Sequence, residues 1–396
     1  MRHRTLCSLV LSFATAALFT VLTATDANAI PAFARKYSMP CSACHTAWPT
    51  LNKQGRRFKE NGYKFSRSET PQSVFSDFMQ FDKSFPVAAV IKSRPYDKKG
   101  SGDKKIRALH EVEVLAGGPL HKYVSGFIEL EAEDEDNFAV SASGWVTLHP
   151  HKAFNVQFAY ADIFNADPLS TLSGTRRLTR NRNAVIDQKF GGADNNGRLR
   201  DPRQSIAIYG RPIDQVFYSV GYSGVAKDSE GVNASNYHAR LAVDVLPELT
   251  VGAFGLWGKC ESSAPNCAIN RDFQRYGFDA QAEVKNVVLR GAYFNTKDDA
   301  NFLGVGGIPP QVENMAWYGE GSYVIKKDGR PFIVPLIRFD SYEKNNGFDN
   351  YDELTLNLSA YIYENVRVFA EYWTQLDTPP GVIEDDRITV QLEFGL

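Results

Sequence analysis

Leu354, Leu356, Leu358, Ala360 and Ile362 alternate with Glu353, Thr355, Asn357, Ser359 and Tyr361 near the end of the chain. A period of two places one set on each face of a β-strand. The pattern recurs: Val124, Ile128 and Leu130 alternate with Tyr123, Ser125, Glu129 and Glu131. Ile388, Val390, Leu392, Phe394 and Leu396 alternate with Arg387, Thr389, Gln391 and Glu393. Sixteen such segments, separated by Gly-, Asp-, Asn- and Pro-rich turns, lie near 82–94, 106–116, 121–133, 138–149, 153–163, 204–211, 214–224 and 236–246, then 248–258, 272–284, 286–297, 313–325, 331–342, 352–363, 366–376 and 386–396. Short connections (Gly117-Gly118-Pro119, Pro212-Ile213, Pro247-Glu248, Lys285-Asn286, Glu364-Asn365) alternate with long ones at 164–203, 259–271, 298–312 and 377–385. An even strand count, alternating loop lengths and a final strand at the C-terminus predict an antiparallel outer-membrane β-barrel of about sixteen strands over 82–396. A soluble sandwich or propeller would also alternate, but has no reason to alternate its loop lengths. Beyond residue 29 no apolar run is long enough for a membrane-spanning helix, so a spanning chain has to close its strands on one another.

The N-terminus reads differently. Arg2 and Arg4 precede an apolar run from Leu6 to Val21, and Ala27-Asn28-Ala29 is a small-x-small cleavage site, so 1–29 is expected to be a secretory signal. Its removal takes away Cys7 and shifts the formal net charge from −2 to −3. With 44 basic against 46 acidic residues there is no broad positive field for nucleic acid, and neither a Rossmann nor a Walker glycine motif occurs. Four cysteines remain in a chain expected to be exported, where thiols are normally bonded. Cys260 and Cys267, separated by six residues, are disulfide candidates.

The other two belong to Cys41-Ser42-Ala43-Cys44-His45, a C-x-x-C-H pattern. That spacing suits covalent attachment of one haem c: the two thiols form thioethers with the porphyrin vinyl groups, and the adjacent histidine reaches the iron as proximal ligand. A thioredoxin-type pair would need a βαβ context and a zinc site two further ligands nearby; neither is present. Trp48, Leu51, Phe58 and Gly62 recur at helical spacing and predict a helix packed on the porphyrin. The expected layout is a small helical c-type cytochrome module over 30–65 and a linker over 66–81, ahead of the all-β barrel. Thirty-five residues cannot bury a haem alone, so another part of the chain has to cover its second face. The distal ligand stays open among Met39, Met79, Met315, His110, His121, His149, His151 and His238.

Barrel topology turns Glu111, Glu113, Glu129, Glu131, Glu133, Arg107, Arg240, Arg338, Asp340, Glu371 and Glu393 inward. Such a lumen is either simply solvated or, with Glu133-Asp134-Glu135-Asp136, concentrates cations. The 164–203 connection carries Arg176, Arg177, Arg180, Arg182, Lys189, Arg198, Arg200 and Arg203 and is either a lumen plug or a solvated loop.

Pro31-x-Phe33-Ala34-Arg35, Cys41-x-x-Cys44-His45-Thr46, Pro49-x-Leu51, Gly55-Arg56-x-Phe58-Lys59 and Gly62-Tyr63 resemble the fused outer-membrane monohaem cytochrome–porins, the iron oxidases of iron-oxidising bacteria. The likeness covers about thirty-five residues. It implies one haem c in or under a sixteen-stranded barrel embedded in outer-membrane lipid, with the module on the periplasmic side or within the lumen. It further implies oxidation of extracellular Fe(II), with electrons passed to a periplasmic c-type cytochrome. Cys41, Cys44 and His45 carry the implied roles. Alternatives from other classes are a solute porin with a structural or sensory haem, a conduit for a different donor or acceptor, and a periplasmic haem protein on a soluble β scaffold.

Overall fold

The segment Val87–Lys99 is bonded on one side to Lys105–His121 and on the other to Asp386–Gly395, the last strand of the chain, so the sheet closes and keeps no free edge. Closure satisfies every strand's backbone groups internally, as a lipid environment demands. The computed structural model describes residues 32–67, 69, 87–189, 197–231, 236–260, 269–300 and 302–396. The expected signal (1–29), most of the linker and Cys267 lie outside the described residues.

In chain order, a small module comes first. It contains helix α1 (Ala32–Tyr37), a 3₁₀ turn (Cys41–Ala43), the hairpin β1 (His45–Ala47) and β2 (Thr50–Leu51), and helix α2 (Lys53–Glu60). The predicted helix from Trp48 to Gly62 is thus shorter: Trp48 and Leu51 sit in and beside the hairpin. Pro49 has no N–H to donate to a helical ladder, and Asn52 caps α2 by accepting the Gly55 N–H at 2.9 Å.

The barrel follows: β3 (Val87–Lys99), β4 (Lys105–His121), β5 (Val124–Glu133), β6 (Val140–His151), β7 (Phe154–Ala161), β8 (Arg203–Ile213), β9 (Val216–Ser223) and β10 (Asn236–Leu246). The second half is β11 (Leu249–Cys260), β12 (Arg271–Val284), β13 (Val287–Asp299), β14 (Gln311–Tyr323), β15 (Ile325–Lys327), β16 (Arg330–Lys344), β17 (Asp349–Tyr363), β18 (Val366–Asp377) and β19 (Asp386–Gly395). Both β14 and the short β15 pair with β16, so together they form one interrupted strand, and the barrel has sixteen, all antiparallel. Each corresponds to one segment expected from the period-two pattern. Two boundaries differ for physical reasons. β3 runs through Pro95 because the ladder is irregular between Arg94 and Asp97, where a missing N–H costs nothing. Gly117-Gly118-Pro119 stays inside β4 instead of turning: a Cβ on Gly117 would lie 2.5 Å from the Phe127 ring on the next strand, so this glycine makes room for an aromatic.

The two faces are inverted relative to a soluble protein. Outward-facing Phe278 and Ile337 are 61% and 54% exposed, while inward-facing Arg338 and Asp340 are 2% and 0% exposed. An apolar exterior around a polar interior is the signature of a barrel solvated by lipid. Two-residue turns at 122–123, 152–153, 214–215, 247–248, 285–286, 328–329 and 364–365 mark one end, and the longer loops mark the other.

The described parts of the β7–β8 connection, 162–189 and 197–202, fold into the lumen as a strap that includes helix α3 (Ala184–Asp187). Its Ile163, Phe164, Leu172, Ala184, Val185, Ile186 and Leu199 pack on Phe254, Phe273, Phe294, Tyr318 and Tyr342 of the inner wall. Polar anchors fix it further. Arg240 bonds Asp167 at 2.8 Å and Asp279 at 2.6 Å, Glu371 accepts the N–H groups of Arg180 and Asn181 at 2.7 and 3.0 Å, and Asp340 accepts that of Ala184 at 2.8 Å.

Candidate functional site

The module sits in the short-turn mouth of the barrel, and nearly every anchor is to a short turn or the strand end beside it. Lys53 reaches the Pro247 carbonyl at 3.5 Å, Arg57 the Asp214 carbonyl, and Lys64 the Lys122 carbonyl at 2.7 Å. Arg56 pairs with Glu283 at 2.8 Å, and Arg211 grips Glu60 through two bonds of 2.6 and 2.8 Å with both side chains buried. Tyr361 donates to the Trp48 carbonyl at 2.7 Å.

Within the module, Asn52 joins motif to helix. Besides capping α2, its amide donates to the carbonyls of Ser42 and Ala43 at 3.2 and 3.1 Å, and its N–H bonds the Cys44 carbonyl at 3.0 Å. Gly55 lets α2 lie directly on the motif, since a Cβ there would come within 2.1 Å of the Cys44 carbonyl oxygen. Cys41 and Cys44 are free thiols. Burial, reinforced by Glu364, pushes the Cys41 thiol up to about 11; burial also raises that of Cys44. Burial lowers His45 to about 4, so its imidazole is neutral, the form that binds metals. His45 Nδ1 is buried without a hydrogen-bond partner, while the nearby backbone of Pro49 and Thr50 favours the charged form of the ring.

Cys41, Cys44 and His45 open on a cavity of about 950 Å³ enclosed between module, strap and barrel wall. Near the motif its lining is apolar and aromatic. Phe33 stacks on Tyr63 at 5.2 Å, Tyr63 on Phe127 at 5.9 Å, and Phe127 on Trp145 at 4.4 Å, carrying a row of rings from the module onto the wall. Further from the motif the lining is charged: Glu129, Glu131, Glu133 and Glu135 on one side, Arg176, Arg182, Arg198 and Arg200 of the strap on the other. The donor set fits haem c, with two thiols spaced for the vinyl groups, a neutral imidazole next to them and flat aromatic walls. Barrel wall and strap complete the lining that the short module alone does not provide.

The three motif residues are brought together as expected. Among the described residues, Met39 is the one methionine on the cavity wall and His45 the one histidine. His149 is tied to Ser125 and Asn155 at 2.7 and 3.0 Å, beneath Gly62. Met79 lies outside the described residues. Cys260 is disulfide-bonded, and Cys267, its candidate partner, lies outside the described residues. Sequence reasoning passed over Asn52 and Glu364, whose roles depend on contacts that no local pattern announces. It also passed over Lys59: buried beside Arg176, its ammonium is held well below its ordinary range by desolvation and that like charge.

The fold defines a closed sixteen-stranded barrel of the outer-membrane type. OmpT, an outer membrane protein of Vibrio cholerae, matches with a TM-score of 0.57 and 11% identity, over 82% of this chain and 100% of that one. Salmonella typhi OmpF matches with a TM-score of 0.52 and 13% identity, over 78% and 97%, and the outer membrane channel DcaP of Acinetobacter baumannii with 0.54 and 11%, over 78% and 95%. At such identities the likeness is one of fold. No protein-family model matches the sequence, and a search of curated proteins finds no match.

Proposed function

We propose that this chain is an outer-membrane electron conduit of the cytochrome–porin type, which oxidises extracellular Fe(II) at a haem c bound by Cys41, Cys44 and His45 and delivers electrons to a periplasmic c-type cytochrome. The observation that carries this reading is the placement of the C-x-x-C-H motif inside the short-turn mouth, on a cavity that continues along the lumen. Short turns face the periplasm in barrels of this kind, so the motif lies where a periplasmic partner can approach. Each cysteine thiol would add across one vinyl group, sulfur bonding one carbon and hydrogen the other, without an oxidant. His45 would present its neutral imidazole to the iron. The aromatic row from Phe33 to Trp145 excludes water, and Arg176 supplies positive charge on the cavity wall. What haem c supplies when bound is a one-electron acceptor for Fe(II), held within a hydrocarbon layer about 30 Å thick that otherwise blocks electron flow.

The test is addition of Fe(II) to the oxidised, haem-loaded protein purified from outer membranes, following the haem absorption bands. Conversion to the reduced spectrum is expected; an unchanged spectrum at every pH would remove Fe(II) as the donor. A second reading, a solute porin with a structural haem, draws on the likeness of fold to a channel. It requires an open lumen, whereas the strap packs against the inner wall here, and it predicts substantial single-channel conductance.

A further inference from the structure

We propose that the long-loop end of the lumen contains a divalent-cation site formed by His110, Glu111 and Glu133, suited to a first-row ion such as Fe(II). The site begins with a break in the strand pattern. Consecutive residues of a strand point to opposite faces, yet His110 and Glu111 are both buried on the inner side. The β3–β4 ladder explains it: Lys92 pairs with Glu111 and Arg94 with Arg107, so residues 108–110 bulge opposite the single residue 93. A bulge re-aims side chains, and this one turns the imidazole of His110, 1% exposed, into the barrel beside Glu111.

Hydrogen bonding then sets the imidazole. His110 Nδ1 lies 2.7 Å from the carboxylate of Asp134, in the 3₁₀ turn Asp134–Asp136 after β5, which assigns the proton to Nδ1. Nε2 has no hydrogen-bond partner and faces Glu111 Oε2 at 3.7 Å. A metal-binding histidine is typically held this way, one nitrogen donating to a carboxylate and the other free for the ion. Of the neighbouring cations, Arg94, whose charge acts on both His110 and Glu111, bonds Gln391. Lys92 occupies Glu111 Oε1 and Glu113 Oε1, each at 2.6 Å, and Arg107 bonds Asp134 and Glu135. Glu133, directly across the ladder from Glu111, completes the set, and the three ligand atoms lie within 4.8 Å of one another. The centre of such a triangle is at most about 2.8 Å from each atom, so side-chain rotation of roughly 0.7 Å reaches ordinary metal–ligand distances.

One imidazole and two carboxylates favour first-row divalent ions over Ca²⁺. Three protein ligands leave positions for water, which suits an ion that exchanges. Glu133 also lines the cavity on which Cys41 and His45 open, so the site borders the space that leads to the motif. Naming Fe(II) as the natural occupant rests on the proposed function; the site itself does not.

Mn(II) serves as the probe, because it binds similar ligands without reducing a haem. Binding to the full-length, haem-loaded protein in detergent is followed by loss of the free-ion electron paramagnetic resonance signal. One saturable equivalent is expected. His110→Ala and Glu133→Gln should each weaken binding at least tenfold, Asp134→Asn by roughly tenfold, and Glu129→Gln, on the same wall outside the set, by less than twofold. Heat-modifiable gel migration confirms that each variant is folded. Absence of a saturable equivalent overturns the proposal, as does wild-type affinity in His110→Ala, or losses in Glu129→Gln equal to those in Glu133→Gln. Mn(II) binding through His110 with no haem reduction by Fe(II) would leave the site standing and remove the Fe(II) reading; the converse would do the opposite.

Discussion

Glu364, in the two-residue turn between β17 and β18, accepts the backbone N–H of Cys41 at 3.0 Å and that of Ser42 at 3.3 Å. The first residues of the C-x-x-C-H motif are thereby fixed to a turn more than three hundred positions later in the chain. Charge-assisted bonds of this sort contribute about 1.5–3 kcal/mol each when well shielded, and the half-buried Glu364 should lie at the lower end. Glu364→Ala is therefore expected to speed hydrogen exchange at the Cys41 and Ser42 amides by about tenfold, with the β-sheet amides unchanged. Equal protection in the variant would show that the module is held without this turn.

The Glu60–Arg211 pair is the strongest clamp between α2 and the barrel. Removing one member of a buried pair costs about 3–5 kcal/mol, mostly because the other charge is stranded. Glu60→Gln should therefore release the module to limited proteolysis. Adding Arg211→Met should restore most of the resistance, since the double variant leaves no unpaired charge. Additive damage in the double variant would contradict this assignment.

Gly55 acts through its lack of a side chain. An alanine there would press on the Cys44 carbonyl at 2.1 Å, which backbone cannot absorb without moving α2 off the motif. Gly55→Ala should lower covalent haem content, read by in-gel haem staining against folded barrel, to a small fraction of wild type. Lys53→Ala, at an exposed position of the same helix, should leave it unchanged.

The strap is predicted to set permeability. Arg338 donates to Asp340 at 2.6 Å, Thr179 at 2.7 Å and the Asn181 carbonyl at 3.1 Å. Its loss strands a buried carboxylate and frees the strap, a change of about 3–5 kcal/mol. Planar-bilayer recordings should show low conductance for the wild type, a clear increase for Arg338→Ala and a larger one for deletion of 170–200. Equal conductance in all three would mean that the strap does not obstruct the lumen.

The outer face offers a check on lipid contact. Phe278 sits in the middle of β12 and points outward. Phe278→Arg should destabilise the barrel in a bilayer by about 2–4 kcal/mol, measured by urea titration of the folded fraction. Thr250→Val, at a buried position near the end of β11, should cost far less.

Much of this was legible before any coordinates. Alternating apolar and polar residues report which face each side chain takes, because a strand's period of two is a local property, and all sixteen strands followed from it. Cys41, Cys44 and His45 lie within five consecutive positions, so their spacing is also a local property. Tertiary structure decided the rest. The strap's arginines were visible in the sequence, but their place in the lumen depends on partners such as Asp279, Asp340 and Glu371, far along the chain. The inward turn of His110 results from a mismatch between two strands, which neither strand encodes alone. The Cys41 amide is held by Glu364, a residue unremarkable in its own neighbourhood. Periodicity and spacing are written along one segment at a time, whereas enclosure is a relation between segments, and only the closed barrel brings those segments together.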